Sequence, residues 1–146
     1  MKLYKIVAGV AILTFVINLF VMKVFAGQPR PGYILEHEKD IAKDEPGTHN
    51  GTGTTTGYSF FANATNSTLV FRKRVLHPGA SIGYHLQKEE EIYYVVSGTG
   101  EMTMNDKKFA VQAGDAVLTL PGSSHGLKQT GKDDLVIIID YQKTGN

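Results

Sequence analysis

The chain has 146 residues, with 15 Lys and Arg against 14 Asp and Glu, a formal net charge of +1, no cysteine and no tryptophan. That length suits one domain with an ordinary packed core. The lack of cysteine excludes disulfides and cysteine-ligated zinc. The near balance of charge gives no case for a nucleic-acid partner, and only residues 72–74 form a basic run.

Residues 1–26 stand apart. Lys2 and Lys5 make a basic start, Ile6 to Met22 is apolar apart from Thr14 and Asn18, and Val24-Phe25-Ala26 offers a small-residue cleavage site before Gly27. This reads as a secretory signal peptide and implies an exported protein, periplasmic or extracellular. The rival reading is an uncleaved membrane anchor over residues 6–22, near the lower length limit for spanning. A membrane contact is expected only in that case. No cysteine follows the segment, so a lipid-anchored form is excluded. Removal of residues 1–26 leaves 12 basic and 14 acidic residues, a formal charge of −2.

Residues 27–57 read as an extended polar arm. It opens with Gln28-Pro29-Arg30-Pro31-Gly32, which suits a linker. Tyr33 to Ala42 could form one short helical turn or an edge strand. Gly47 to Gly57 is rich in Gly and Thr and is expected to lack regular structure. His37 and His49 are candidate extra ligands, although solvated loop histidines are commoner. Asn50, Asn63 and Asn66 each fit the N-x-S/T acceptor pattern for glycosylation.

Residues 58–142 form the expected main domain. Short β-branched and aromatic runs recur at hairpin spacing, which places strands near 58–62, 68–76, 82–87, 91–97, 99–104, 107–111, 115–120, 124–129 and 134–141. Asn105-Asp106 suits a tight two-residue hairpin, and Ser97-Gly98-Thr99-Gly100 suits another turn. Leu135 to Ile139 lacks alternation, so both faces of that strand should be covered, by neighbours in the chain or by a partner subunit. Regular short strands with turn residues between them imply an all-β sandwich or barrel.

Two stretches carry chemistry. In the first, His85 and Gln87 are two apart and project from one face of a strand, and Glu91 opens the next strand after a short charged turn. In the second, His125 follows the Pro121-Gly122 break. Each residue alone has a plain structural role: a core histidine, a strand-edge charge, a turn residue. Together they form a divalent-metal ligand set, in which imidazole suits Zn, Fe, Ni or Mn and oxygen donors favour the harder ions. Gln87 could ligate directly or hold a water beside the metal.

The pair resembles the two motifs of the cupin superfamily. Gly79, His85, position 87, Glu91 and Gly98 meet every spacing of the first motif, with Gln87 where the family usually has His. Gly114, Gly122 and His125 meet the second, while Leu120 replaces its usual Pro and Gln129 its usual Asn. The resemblance implies a double-stranded β-helix, or jelly roll, and a homodimer as the common state. It implies a metal held by His85, Gln87, Glu91 and His125. It also implies either a metal-dependent dioxygenase, decarboxylase, isomerase or lyase acting on a small molecule, or a non-catalytic module binding a sugar or carboxylate. Tyr93 shares the parity of Glu91 and should point inward, as an acid or as a packed aromatic. Arg72 and Arg74 share one strand face that could receive an anion or simply be solvated. His77 reads as surface.

Overall fold

The structure, a computed structural model, describes residues 32–143. The unit Leu35–Asn146 carries the sheets. The expected signal or anchor segment, residues 1–26, lies outside the described residues.

One helical turn, α1 (Glu38–Ile41), leads into β1 (Ala42–Pro46) and β2 (Thr54–Phe60). Then come β3 (Leu69–Leu76), β4 (Ser81–Leu86), β5 (Glu91–Ser97), β6 (Thr99–Met104) and β7 (Lys107–Gln112). The last three are β8 (Ala116–Thr119), β9 (Ser124–Gln129) and β10 (Leu135–Gln142). They form two antiparallel sheets, a large one in the order β1-β2-β3-β10-β5-β8 and a small one in the order β4-β9-β6-β7. The all-β jelly-roll expectation holds, and from Leu69 on every expected strand is present within a residue or two of its expected ends.

Two expectations are corrected. Regular structure begins well before Tyr58: β1 pairs with β2 from Ala42↔Tyr58 to Pro46↔Thr54, extending the large sheet. The Gly/Thr stretch is therefore a strand from Thr54 onward, because β2 is paired on both edges, with β1 and with β3. The turn at Gly98 also does not close a hairpin, since β5 and β6 lie in different sheets. Gly98 has φ +82°, and a Cβ there would stand 2.3 Å from the Asp134 carbonyl oxygen, so only glycine lets the chain cross between sheets at this point. Asn105 and Asp106, with φ 44° and 67°, do make the two-residue hairpin, joining Met104 to Lys107.

β10 explains its unbroken apolar run. It lies between β3 and β5, so both its edges are paired. Leu135, Ile137 and Ile139 point into the core, while Val136 and Ile138 are half-buried on the outer face. The inner faces of the two sheets meet at Leu76, Met102, Leu127, Leu135 and Ile137, all essentially inaccessible. Burial of each such side chain stabilises the fold by roughly 1.5–3 kcal/mol.

Candidate metal centre

His85 reaches the core through an irregularity in β4. The register pairs Ile82 with Leu127 and His85 with His125, so three steps along β4 match two along β9. In a regular strand Ile82 and His85 would face opposite sides. The extra residue, a bulge at Gly83-Tyr84, turns both inward and leaves Tyr84 exposed. Gly83 makes this possible, because its backbone is packed against the loop before β2: its N–H donates to the Thr48 carbonyl at 2.9 Å, and a Cβ would stand 2.0 Å from the His49 carbonyl. The N–H of Ser81 donates to the Thr52 carbonyl at 2.9 Å, so the same loop covers the free edge of β4.

His125 is the register partner of His85 on β9 and is fully buried, with 0% exposure. Glu91 and Tyr93 come from β5 in the facing sheet, at 6% and 4% exposure. The cluster is therefore assembled across the sandwich and not within one hairpin. His85, Glu91 and His125 bring one ligand atom each to within 4.8 Å of one another. The imidazole rings of His85 and His125 stand edge to face, with centroids 4.5 Å apart. Nδ1 of His85 lies 2.8 Å from the Gly83 carbonyl oxygen. A carbonyl only accepts, so Nδ1 carries the proton and the bare lone pair is on Nε2. The bulge thus both aims the ring and selects the tautomer a metal requires.

Two of the three buried side-chain polar atoms without a hydrogen-bond partner among the described residues lie here: Glu91 Oε2 and His125 Nδ1. Glu91 Oε2 stands 3.2 Å from His125 Nε2 without forming a hydrogen bond. Buried polar atoms are normally satisfied, so this cluster holds hydrogen-bonding capacity that the described residues leave unused. The donor set, two imidazoles and a carboxylate, fits a divalent metal. Tyr93 Oη lies 3.3 Å from His125 Nε2, as its inward parity implied. Burial, and then the charge of Glu91, push its pKa well above the ordinary phenol value, so the hydroxyl stays protonated.

A cavity of about 250 Å³ opens on this cluster. Its walls include Gln87, His85, Glu91, Tyr93, Arg72 and His49. Gln87 lies just past the end of β4, is 7% exposed, and is held by its backbone: its N–H donates to the Ser123 carbonyl and its carbonyl accepts from the Gly122 N–H, both at 2.9 Å. Three of the four expected site residues, His85, Gln87 and Glu91, therefore border one space, and His125 lies buried behind it, grouped with His85 and Glu91. Arg72 and Arg74 part company. Arg74 is 5% exposed and committed to Glu45 at 2.7 Å and to Thr55 Oγ1 at 2.8 Å, whereas Arg72 lies over the ring of Tyr141 at 6.0 Å.

His49 is the residue whose place the sequence undervalued. Its ring stacks on His85 at 3.6 Å with an interplanar angle of 1°. It takes a left-handed backbone, φ 53°, in the loop bound to β4. Partial burial, and then neighbouring His85, lower its pKa below the ordinary histidine value. Gly47, Gly51 and Gly53 around it were the available hint, since such a loop can approach another backbone closely. His37 is exposed and stands outside the cluster. His77 is partly covered and bridges Thr56 and Asp134 at 3.1 and 3.0 Å, away from the cavity.

The fold is a cupin-like jelly roll. Residues 73–140 match the family described as a cupin domain, over the stretch that carries both motifs. Among curated proteins, an oxalate-binding protein from Thermotoga maritima is 39% identical over 71 residues, covering 48% of this chain and 59% of that protein. An uncharacterised protein from Methanocaldococcus jannaschii is 39% identical over 49 residues, covering 34% of this chain and 39% of that protein. The chain thus spans about three fifths or less of the length of these curated relatives. Among solved structures, a Thermotoga maritima protein described as a predicted oxalate decarboxylase superposes with a TM-score of 0.70 at 27% identity, over 76% of this chain and 100% of that one.

Proposed function

We propose that this protein holds a divalent metal through His85, Glu91 and His125, with Gln87 as a fourth or water-mediated donor, and binds a small carboxylate of the oxalate type beside it. The observation that carries the reading is the buried cluster of His85, Glu91 and His125, with Glu91 Oε2 unpartnered and with His85 and Glu91 opening on a small cavity. The oxalate-binding relative supports the ligand class. The metal, when bound, would supply a Lewis acid that attracts and polarises a carboxylate oxygen. The chain supplies the rest. His85 is oriented by Gly83, the Tyr93 hydroxyl stays protonated against Glu91 and His125, and Ile82 and Ile139 give the cavity apolar walls.

The test is calorimetric titration of the purified chain with Mn(II), Ni(II) and Zn(II), then with oxalate in the presence and absence of metal. Metal-dependent oxalate binding is the expected result. A folded protein that binds none of the three metals would overturn the reading. Turnover is a second reading, favoured by the protonated Tyr93 hydroxyl within reach of the cluster. Formate or carbon dioxide release from oxalate by the metal-loaded protein would establish it.

The same reading includes export after cleavage before Gly27 and a homodimer. The dimer is supported by the outer face of the large sheet, where Ile92, Tyr94, Val96 and Leu118 are exposed beside half-buried Ile138. Light scattering decides it, and a monomer at micromolar concentration would exclude the dimer while leaving the metal site standing.

A further inference from the structure

We propose that Arg72 is the specificity-determining residue of the cavity, receiving the second carboxylate of a ligand whose first carboxylate is at the metal cluster. This rests on the small-carboxylate reading above and adds that the ligand is a diacid in preference to a monoacid.

The placement follows from register. Arg72 pairs with Ile139, and Ile139 pairs with Tyr93, so the three side chains form one row across the inner face of the large sheet. Neighbouring strands lie about 4.8 Å apart, which sets the backbones of Arg72 and Tyr93 roughly 10 Å apart. An arginine side chain covers much of that gap, and Arg72 lines the same cavity as Glu91, Tyr93 and His85. Ile82 and Ile139 contribute apolar wall to the same space. A ligand there meets His85 and Glu91 together with two arginines, Arg72 and Arg74, of which Arg74 is already committed to Glu45 and Thr55.

Arg74, two residues along on the same face, shows what a structural arginine looks like in this fold. It is buried, paired with Glu45 and hydrogen-bonded to Thr55. Arg72 makes no such ion pair among the described residues. Its guanidinium carbon lies 6.0 Å from the centre of the Tyr141 ring, a contact that consumes none of its N–H donors as an ion pair would. A planar fork not consumed by an ion pair, partly withdrawn from water, matches the geometry of a carboxylate. Lys88 and Glu89 also line the cavity and carry opposite formal charges, so they do not by themselves set the sign of the ligand.

The experiment uses the full chain loaded with Mn(II) and measures Kd for oxalate, malonate, formate and acetate by calorimetry. The wild type is expected to prefer the diacids. Arg72→Met keeps the stem that packs on Tyr141 and Ile139 and removes the fork. It should weaken oxalate by about tenfold or more, the usual scale for losing hydrogen bonds to a charged group. Formate and Mn(II) affinities should stay within about twofold. Arg72→Lys keeps the charge without the fork and should still lower the oxalate-to-formate ratio, which decides the matter if the methionine variant does not fold. A wild type that binds formate as tightly as oxalate overturns the Arg72 assignment alone. So does an Arg72→Met protein that weakens both acids equally or neither. A Mn(II)-loaded wild type that binds none of the four acids sinks the carboxylate reading itself, and Arg72's role with it.

Discussion

Substitution of Glu91 by Gln should stabilise the metal-free protein and destabilise the metal-loaded one. Glu91 is 6% exposed, and its Oε2 lacks a hydrogen-bond partner beside His125 Nε2 at 3.2 Å. An unsatisfied buried polar group costs about 1–3 kcal/mol. A glutamine of the same shape carries no charge and brings an NH2 that can donate to the Tyr93 hydroxyl oxygen, and so recovers much of that cost. Taking about 1 to 2 kcal/mol for the metal-free gain, Tm should rise by roughly 5–10 °C in a domain of this size. With metal at a hundred times its Kd, the wild type gains about 2.7 kcal/mol by mass action. The variant has lost the anionic donor and should gain far less, so the order of stabilities inverts. Urea or thermal melts with excess EDTA and with excess Zn(II) measure both halves. If Glu91→Gln is less stable than wild type in EDTA as well, Glu91 is a structural hydrogen-bonding residue and its assignment as a ligand fails.

Gln87→Ala should weaken metal binding by about tenfold or less, whereas His85→Ala and His125→Ala should each cost more than about 100-fold. Gln87→His should tighten Zn(II) or Ni(II), and competition titration ranks all four variants. Because metal binding requires unprotonated histidine ligands and so competes with protons, metal affinity should fall on acidification, visible as metal release in a pH titration of the loaded protein. Leu135→Ala, which empties a fully buried position where the sheets meet, should cost about 2–5 kcal/mol in urea unfolding. Protein recovered from its native host should have an intact mass beginning at Gly27, and a full-length chain confined to membranes would favour the anchor instead.

Local pattern carried much of this protein. Hydrophobic runs of four to eight residues separated by turn residues marked the strands from Leu69 onward, because a strand buried on one or both faces must show that burial in its own residues. The Asn105-Asp106 hairpin was legible for the same reason, since a positive φ at both central positions restricts which residues can stand there. The spacing of His85, Gln87, Glu91 and His125 identified the candidate site without any knowledge of which strands faced one another. Tertiary structure alone decided the rest. β1 and the Thr- and Gly-rich start of β2 were hidden because neither carries a periodic pattern, and they are strands because β2 pairs with the edge of β3 and β1 pairs with β2. Ile82 and His85 share a face only through the bulge that β9 and the preceding loop impose on β4. Arg72 and Arg74 look alike in sequence and both border the cavity, yet only Arg74 is tied to Glu45. His49 lies far from His85 along the chain and touches it because the loop's glycines let two backbones meet. Such contacts join residues distant along the chain, and no local window of residues contains both partners.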